Sequence, residues 1–516
     1  MELKKKIGQL FVMGWQGIEP NEEFLEMVHE WGIGGVIIFT RNIDDPVAIP
    51  DVIRKIDKAS GQKVFSSVDQ EGGLVLRVLS GGSLFPGAMA LAASGDKNLT
   101  ERVHHALALE MRALGLNWNL APVLDVNSRQ NPGIGARSFG DSPDDVASFG
   151  RAAIRGLRSG GVLACAKHFP GKGSAKIDSH FSLPVISSSR EELFACDLKP
   201  FIHAIDEGVD AIMTSHVFFP AFESAPNLPG TLSKAVLTGL LRKELGFKGL
   251  LITDDLEMGA ITEAYGVPEA SRLSFLAGSD LLLICHDLKR QKSAMEKILH
   301  EVSNSSEAAE RLEESLIRIE SARKKLNSGM PDKSIFELKT MHADLIQESH
   351  KKSILVKEYS EKILPISRNS SFLAVFPEIA MLTPAEENLP DGGMASVFKK
   401  HFPRSISCSY KPKDDHQQIL ASIEGRFEKL DVSQPVVIFS YNAHLFHSQK
   451  TAFEAIVQKR KNCILVAVRN PYDVSFINSF PVSIASFGFR TPSIEAICEM
   501  LSGSFTARKG PWPVHL

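Results

Sequence analysis

Eight short apolar runs, separated by loops and amphipathic segments, recur over the first 290 residues and limit the folds open to this chain. Such runs, several of them rich in Val and Ile, are typical of strands buried on both faces, as in parallel sheets. The runs lie at 7–14, 34–39, 63–68, 116–124, 161–167, 210–215, 249–253 and 280–284. The alternation predicts an α/β fold, a (β/α)8 TIM barrel, with an open doubly wound sheet as its competitor.

Several segments between the apolar runs carry helix start signals. Ser142 stands before Pro143 and two acidic residues, which is the usual order of N-cap and first turn. Ser189 and Glu192 have the spacing of a capping box, and Asn21 precedes apolar residues at helical spacing. We therefore predict that helices begin at these three caps.

Polar side chains follow one apolar run after another, at the points where the strands would end. They are Asp69, Asp125, Lys167, His168, His216, Asp254, Asp255 and His286. In a barrel the carboxyl ends of all strands open onto one face, which is where active sites form. The pattern therefore favours the barrel over the open sheet and predicts a site at that face.

The alternation of short apolar runs and amphipathic segments ends near residue 305. A charged amphipathic helix is predicted near 305–326, and a second helical stretch runs to about residue 350. Strand-like runs then return, among them 371–376, 435–441, 463–468 and 482–487. We divide the chain into a TIM-barrel catalytic domain (1–305), a helical linker (306–350) and a smaller C-terminal α/β sandwich domain (351–516).

Composition narrows the classes of function. The 516 residues include 58 Lys+Arg against 61 Asp+Glu, so no basic surplus indicates a nucleic-acid partner. The six cysteines form no C-x-x-C pair, which favours reduced thiols over disulfides or a zinc ribbon. No apolar stretch reaches the roughly 20 residues of a membrane span, and 7–14 is interrupted by Gly8 and Gln9. We expect no membrane insertion and a cytoplasmic location.

The segment KHFPGKGSAKIDSH, residues 167–180, leaves a predicted buried strand and turns through glycine and proline. Because residues i and i+2 of an extended segment share one side, Asp178 and His180 can meet directly. A carboxylate beside an imidazole favours its protonated form, which makes a competent general acid. Two alternatives stay open: a solvated loop in which both residues cap turns, and a metal site formed by Asp178, His180 and His168.

The segment LLITDDLEMGAI, residues 250–261, delivers Asp254 and Asp255 to the predicted barrel mouth. A carboxylate placed there can attack an anomeric carbon or stabilise an oxocarbenium ion. Alternation along the chain sends the two carboxylates to opposite sides. We therefore expect one to be catalytic and the other to cap a loop or helix.

Two more segments offer polar groups suited to a sugar. Asp69 can accept bonds from hydroxyls, Arg77 can donate two parallel bonds, and Arg137 lies in a glycine-rich loop. Taken singly, each of them could be structural. Neither G-x-G-x-x-G after a strand nor G-x-x-x-x-G-K-[ST] occurs, which argues against dinucleotide and P-loop sites.

These four segments, in this order, resemble glycoside hydrolase family 3 and within it the β-N-acetylglucosaminidases of the NagZ type. The resemblance is strongest over residues 3–290 and in K-H-F-P-G-x-G-x(4)-D-S-H. It implies a TIM barrel and a retaining, two-step hydrolysis of terminal β-linked N-acetylglucosamine, typically from cytoplasmic muropeptides during peptidoglycan recycling. We expect no metal or organic cofactor. By this resemblance Asp254 is the nucleophile, His180 the general acid/base and Asp178 its partner, while the sugar is held by Asp69, Arg77, Arg137, Lys167 and His168.

The chain departs from the family pattern at two positions. Lys172 stands where many relatives have histidine, and Leu74 where a basic residue is common. We expect that neither departure touches the catalytic set that the resemblance implies, and that both affect loop closure and aglycone preference. The C-terminal domain resembles the second domain of longer family members, and we assign no catalytic residue to it.

Three other functions remain compatible with these segments. A phosphorylase would release the sugar with phosphate instead of water, and an imidazole repels that anion less than a carboxylate would. A sugar-binding protein would keep the pocket without turnover. A metal-dependent aldolase or hydrolase could use the same barrel.

Overall fold

The N-terminal part of the chain is built on a parallel sheet. The computed structural model describes residues 2–179, 181–326, 329, 331–379, 381–386 and 393–516. Its first strands are β1 (Phe11–Met13), β2 (Gly35–Ile38), β3 (Phe65–Val68), β4 (Gln70–Gly72), β5 (Val75–Leu76), β6 (Trp118–Asn119), β7 (Leu163–Phe169), β8 (Ala211–Thr214), β9 (Leu250–Ile252) and β10 (Leu282–Ile284). The eight-stranded sheet has the order β10-β1-β2-β3-β6-β7-β8-β9, while β4 and β5 form a separate hairpin.

The sheet closes into a barrel. β1 pairs with β10 in parallel, and a parallel bridge between Ile252 and Leu281 joins the ends of β9 and β10. Strands of the barrel are buried along their whole length, as expected when side chains fill the interior and helices cover the outside. The predicted (β/α)8 barrel is therefore confirmed.

Helices surround the barrel and continue beyond it. They are α1 (Leu3–Gly8), α2 (Glu22–Trp31), α3 (Ile49–Ser60), α4 (Ala88–Ala93), α5 (Lys97–Ala113), α6 (Pro143–Ser159), α7 (Arg190–Ala195), α8 (Lys199–Asp206), the π-helical segment Ala235–Glu244, α9 (Gly259–Thr262), α10 (Val267–Ala277), α11 (Leu288–Asn304), α12 (Ser306–Arg323), α13 (Ile335–Met341) and α14 (Ala343–Ser353). The three predicted caps are confirmed, because the side chains of Asn21, Ser142 and Ser189 each accept a bond from a first-turn N–H.

One predicted strand is partly wrong. The run 7–14 begins as the end of α1, and only Phe11–Met13 forms a strand. Ile7 and Leu10 are nevertheless fully buried, because the end of this helix and the strand after it pack into the same core. A short apolar run does not distinguish a buried helix end from a buried strand.

The C-terminal part is a separate α/β sandwich, as predicted. Its elements are β11 (Leu355–Glu358), β12 (Leu373–Pro377), α15 (Gly393–His401), β13 (Ile406–Tyr410), α16 (His416–Glu424), β14 (Val436–Ser440), α17 (Ser448–Lys459), β15 (Cys463–Ala467), α18 (Asp473–Phe476), β16 (Val482–Ala485) and α19 (Thr491–Leu501). The sheet order is β11-β16-β15-β14-β12-β13, with only the β11–β16 pair antiparallel. Alternate residues of β14 face two different cores, one shared with α15 and α19 and the other with α16 and α17.

The sandwich contacts loops at the carboxyl ends of the barrel strands. Asn127 Nδ2 donates to Tyr472 Oη (2.9 Å), and Arg490 Nε donates to the carbonyl of Gly73 (2.5 Å). The C-terminal domain therefore lies beside the barrel face where a site was predicted. Across the described parts of the chain, every helix is too short or too polar to cross a bilayer.

Candidate active site

A cavity of about 800 Å3 opens at the carboxyl ends of the barrel strands. It is lined by residues that follow β3, β7, β9 and β10, as the convergence argument predicted. The predicted site residues found in its wall are Asp69, Arg77, Arg137, Lys167, His168 and Asp254. Asp178 lies in a small adjoining cavity that shares Arg137 and Lys172 with the main one, and His180 is outside the described residues.

A network of two carboxylates and three cations forms one wall. Lys167 Nζ lies 2.8 Å from Asp69 Oδ1 and 2.7 Å from Glu71 Oε1. Arg77 Nη2 is 3.3 Å from Asp69 Oδ2. Arg137 binds Glu71 through two parallel bonds of 2.9 and 2.7 Å, the bidentate geometry that orders both partners.

Opposite charges in this network favour the ionised forms of Asp69 and Lys167 although both are buried. Burial opposes ionisation of Asp69, but Lys167 and Arg77 outweigh it and hold the pKa of Asp69 well below its ordinary value. Burial likewise opposes the charge of Lys167, but Asp69 and Glu71 raise the pKa of that ammonium above its ordinary value. Fixed donors and acceptors of this kind suit sugar hydroxyls, which offer both an O–H and lone pairs.

An irregularity in β7 explains why two consecutive residues face the cavity. A regular strand would send Lys167 and His168 to opposite faces. The pairing of β7 with β8 shifts register between Ala166 and Phe169, and both side chains line the cavity. Such a bulge re-aims side chains beside active sites.

Asp125 orients His168 and the loop that follows it. Its Oδ2 lies 2.7 Å from His168 Nδ1, and its Oδ1 accepts the backbone N–H of Lys172 at 2.7 Å. The bond to Nδ1 defines which ring nitrogen carries the proton. Burial raises the pKa of Asp125, and its charge is partly balanced by Lys172.

Lys172 lies beside the predicted nucleophile. Its Nζ is 3.4 Å from Asp254 Oδ2, and both side chains are largely buried. The expectation that this departure from the family pattern stays away from the catalytic set is therefore wrong. The error arose because position in a loop says nothing about where a long side chain reaches.

Asp254 and Asp255 share the cavity wall, so the expectation of opposite sides is also wrong. β9 ends at Ile252, and strand alternation does not extend to the next turn. Asp255 N–H donates to Asp254 Oδ1 (2.9 Å), while Asp255 Oδ1 accepts the N–H of Glu257 (3.1 Å). Asp255 thus caps its loop and orients its neighbour.

The loop before Asp178 leaves no space for a side chain at Gly173. A Cβ there would lie 1.8 Å from the carbonyl oxygen of Val126. Asn131 Nδ2 donates to the carbonyls of Lys172 (2.8 Å) and Gly173 (3.0 Å), which fixes the same stretch from the other side. The path of the chain toward Asp178 is thereby set by close backbone packing.

The C-terminal domain supplies part of the cavity wall. The segment 381–386 contributes Met381, Pro384, Ala385 and Glu386. Arg77 Nη1 donates to the carbonyl of Ala385 (2.9 Å), so a predicted sugar-binding arginine also holds this segment. No sequence pattern indicated this contact, since the two residues lie 308 positions apart.

Glu71 is the main residue that sequence reasoning missed. It stands two positions after Asp69, and period-two spacing would have placed both carboxylates on one side. Asp125 was noted only as one of several residues after a strand. Its partnership with His168 depends on the adjacency of two loops, which the sequence does not specify.

The fold and this site define a barrel enzyme of the glycoside hydrolase type. The family pattern described as "Glycosyl hydrolase family 3 N terminal domain" matches residues 2–322, more than half of the chain. The chain therefore belongs to glycosyl hydrolase family 3.

Curated relatives agree with this assignment. A β-hexosaminidase of Neisseria meningitidis serogroup C is 36% identical over 273 residues, covering 52% of this chain and 75% of that protein. Beta-hexosaminidase A of Pseudoalteromonas piscicida is 30% identical over 381 residues, covering 67% of this chain. The matched region spans 63% of that protein, less than two thirds of its length.

Solved structures share both domains. A glycoside hydrolase family 3 β-N-acetylglucosaminidase from Paenibacillus sp. str. FPU-7 superposes with a TM-score of 0.90 at 33% identity, covering 100% of this chain and 99% of that one. The β-glucoside phosphorylase BglX shares the fold: at 21% identity it superposes with a TM-score of 0.80, covering 100% of this chain and 94% of that one.

Proposed function

We propose that this protein is an exo-β-N-acetylglucosaminidase that hydrolyses terminal β-linked N-acetylglucosamine with retention of configuration. The observation that carries the proposal is the single cavity in which the Asp69–Lys167–Glu71–Arg137 network faces Asp254. The names of the Neisseria and Paenibacillus relatives support the sugar class.

The charged network would hold the terminal sugar. Asp69 would accept bonds from hydroxyls, while Lys167, Arg77 and Arg137 would donate to ring substituents. Because these groups already bind one another, they are ordered before the sugar arrives and lose little entropy on binding it. His168, held by Asp125, would add an oriented ring nitrogen to this set.

The proposed reaction has two displacements. A carboxylate oxygen of Asp254 attacks the anomeric carbon, the bond to the aglycone oxygen breaks, and His180 gives its proton to that oxygen. In the second step His180 takes a proton from water, the water oxygen attacks the anomeric carbon, and Asp254 leaves as a carboxylate. An imidazole has an unperturbed pKa of about 6.5, so it exchanges protons readily near neutral pH.

The role of His180 rests on the resemblance of its segment to the family motif. Asp178, the proposed partner of His180, lies in the adjoining cavity beside Arg137 and Lys172. Movement of the 171–179 loop toward the main cavity would bring Asp178 closer to the glycosidic oxygen. We further propose that the natural substrates are muropeptides in the cytoplasm, in the context of peptidoglycan recycling.

The test is turnover of an aryl β-N-acetylglucosaminide with and without inorganic phosphate, followed by identification of the sugar. Free N-acetylglucosamine at similar rates in both reactions, with the β-anomer formed first, is the expected result. Release of the α-anomer first would contradict the retaining mechanism. Absence of turnover would contradict the proposed activity and favour a sugar-binding role.

Phosphorolysis is the second candidate because the cavity is lined by several cations. Lys172 adds an ammonium beside Asp254 to the cations of the sugar-binding wall, and together they would attract a phosphate anion. A sugar 1-phosphate that forms only in the presence of phosphate would favour this candidate over hydrolysis.

A further inference from the structure

Three side chains with different metal-binding atoms meet at the edge of the cavity. Asp255 follows β9, while Cys285 and His286 follow β10, the strand joined to β9 where the barrel closes. Their ligand atoms lie within 4.8 Å of one another, and His286 Nε2 is 3.4 Å from Asp255 Oδ2. All three residues line the main cavity.

The surroundings of these side chains favour a cation. The Cys285 thiol is buried, and Glu257, whose Oε2 accepts the backbone N–H of His286 (2.5 Å), adds a second carboxyl group to that of Asp255. Two carboxyl groups therefore crowd a buried thiol, and a positive ion among them would relieve the repulsion.

Two arginines face this cluster, and the contacts described next are to backbone carbonyls and to Glu257. Arg41 Nη2 donates to the carbonyl oxygen of Cys285 (2.7 Å), and its Nε donates to the carbonyl of Trp15 (3.1 Å). Arg290 Nη1 lies 3.5 Å from Glu257 Oε1 at the exposed edge. His286 is 45% exposed at its side chain, which provides a path for an ion from solvent.

We propose that Asp255, Cys285 and His286 bind a divalent cation of the zinc class. Carboxylate oxygen, thiolate sulfur and imidazole nitrogen form a mixed set that suits Zn²⁺ or Co²⁺ and does not suit Mg²⁺, which prefers oxygen. On binding, the S–H bond of Cys285 breaks, its proton passes to solvent and a sulfur–metal bond forms. Three protein ligands leave a fourth position for water.

Occupation of this site would inhibit the enzyme. The backbone N–H of Asp255 holds Asp254 Oδ1, so a metal bound by the Asp255 side chain places positive charge one residue from the nucleophile. The ion and its water would also occupy part of the cavity wall. This consequence rests on the proposed role of Asp254, whereas binding itself does not.

Binding can be tested without any activity assay. Titration of untagged, reduced protein with Co²⁺ should produce a thiolate-to-cobalt charge-transfer absorption that saturates at one equivalent and is abolished by Zn²⁺. Cys285→Ser should remove this absorption, and His286→Gln, a change at a half-exposed side chain, should weaken binding at least about 10-fold. Cys498→Ser, a buried thiol in α19 of the other domain, is the matched control and should leave it unchanged.

Activity measurements then test whether metal binding inhibits the enzyme. Zn²⁺ should inhibit wild type and the Cys498→Ser control at lower concentrations than His286→Gln, while Mg²⁺ should have no effect. No charge-transfer absorption, or one that persists in Cys285→Ser, would overturn the site. If the active enzyme shows the absorption but is not inhibited by Zn²⁺, the inhibitory role is wrong. If the protein shows the absorption but has no glycosidase activity, the metal site is supported and the proposed function is wrong.

Discussion

At the scale of single residues, Glu71 joins two buried cations of the cavity wall. It binds Arg137 twice and Lys167 once, and its side chain is 6% exposed. Removing its charge leaves two buried cations with one carboxylate fewer, which is far more costly than breaking an ion pair on the surface.

We therefore predict that Glu71→Gln lowers the free energy of unfolding by about 3–5 kcal/mol and also lowers kcat/KM. The matched control is Glu19→Gln, because Glu19 pairs with Lys55 at the surface and should change stability by less than about 0.5 kcal/mol. Urea denaturation measures both variants. Equal losses in the two would contradict the structural role of the buried network.

The position of Lys172 beside Asp254 leads to a second prediction about a single residue. Its ammonium near Asp254 favours the ionised carboxylate, so Lys172→Met should move the acidic limb of the kcat/KM profile to higher pH by about one unit. Lys172→Arg keeps the charge and should leave that limb near its original position. A profile that shifts equally in both variants would mean that shape, and not charge, is what matters at residue 172.

The sequence suggested most of the residues in the cavity but not their pairing. Asp69, Arg77, Arg137, Lys167, His168 and Asp254 were all candidates before the structure. Glu71 was not a candidate, Asp125 was noted only as a residue after a strand, and Lys172 only as a departure from the family pattern. Each of the three acts through a partner on another loop. Contacts between loops depend on tertiary packing, which local patterns do not describe.

At the scale of elements, the loop between β7 and Asp178 depends on tight backbone packing at Gly173. A methyl group there would collide with the carbonyl of Val126 and displace the chain that carries Asp178 and His180. Displacement of a catalytic group by about 1 Å can reduce a rate about 100-fold.

Gly173→Ala should accordingly reduce kcat/KM by about 100-fold. Gly425→Ala is its control, because a Cβ at Gly425 meets no atom within 4 Å and the residue has an ordinary helical φ of −59°. Steady-state kinetics on an aryl substrate compares them. Full activity of Gly173→Ala would show that the path of this loop is not critical.

Some strands were predicted from the sequence and others were missed, and the burial and length of each strand explain the difference. Runs buried on both faces, such as β14 and β15, match the sequence pattern closely. β13, with the sequence ISCSY, was not predicted, because it is an edge strand whose residues are buried only in part and it contains no apolar run. The hairpin of β4 and β5 was missed because its strands are only three and two residues long.

At the scale of the whole molecule, a buried histidine joins the two domains. His350 of α14 lies 2.9 Å from the carbonyl of Leu84 through Nε2 and 3.0 Å from Ser493 Oγ through Nδ1. Burial lowers the pKa of His350 to about 4, and the pKa of His104 in α5 is lowered to about 4 for the same reason. Both rings are therefore neutral in the folded protein.

Stability should decrease in acid because of these rings. Below the unfolded pKa of about 6.5 the unfolded chain binds protons that the folded chain does not. The contribution of these histidines to the free energy of unfolding is therefore fully present above that pH and is lost as the pH falls toward 4. Each histidine contributes up to about 3 kcal/mol of this loss. His350→Gln should make the dependence of urea midpoints on pH shallower, whereas His300→Gln, at an exposed position, should not. If urea midpoints depended on pH equally in both variants, burial of His350 would not be the cause of the loss of stability in acid.

The measurement that tests the central claim most directly is the identification of the residue that bonds to the sugar. A fluorinated N-acetylglucosaminyl fluoride slows the second displacement and allows the glycosyl-enzyme to accumulate, and peptide mass spectrometry then locates the label. We predict one sugar per chain, attached to Asp254 in the peptide that contains residues 250–261, and no label in Asp254→Asn. A label on Asp255, Glu257 or any other residue, or rapid turnover with no covalent adduct, would contradict the account.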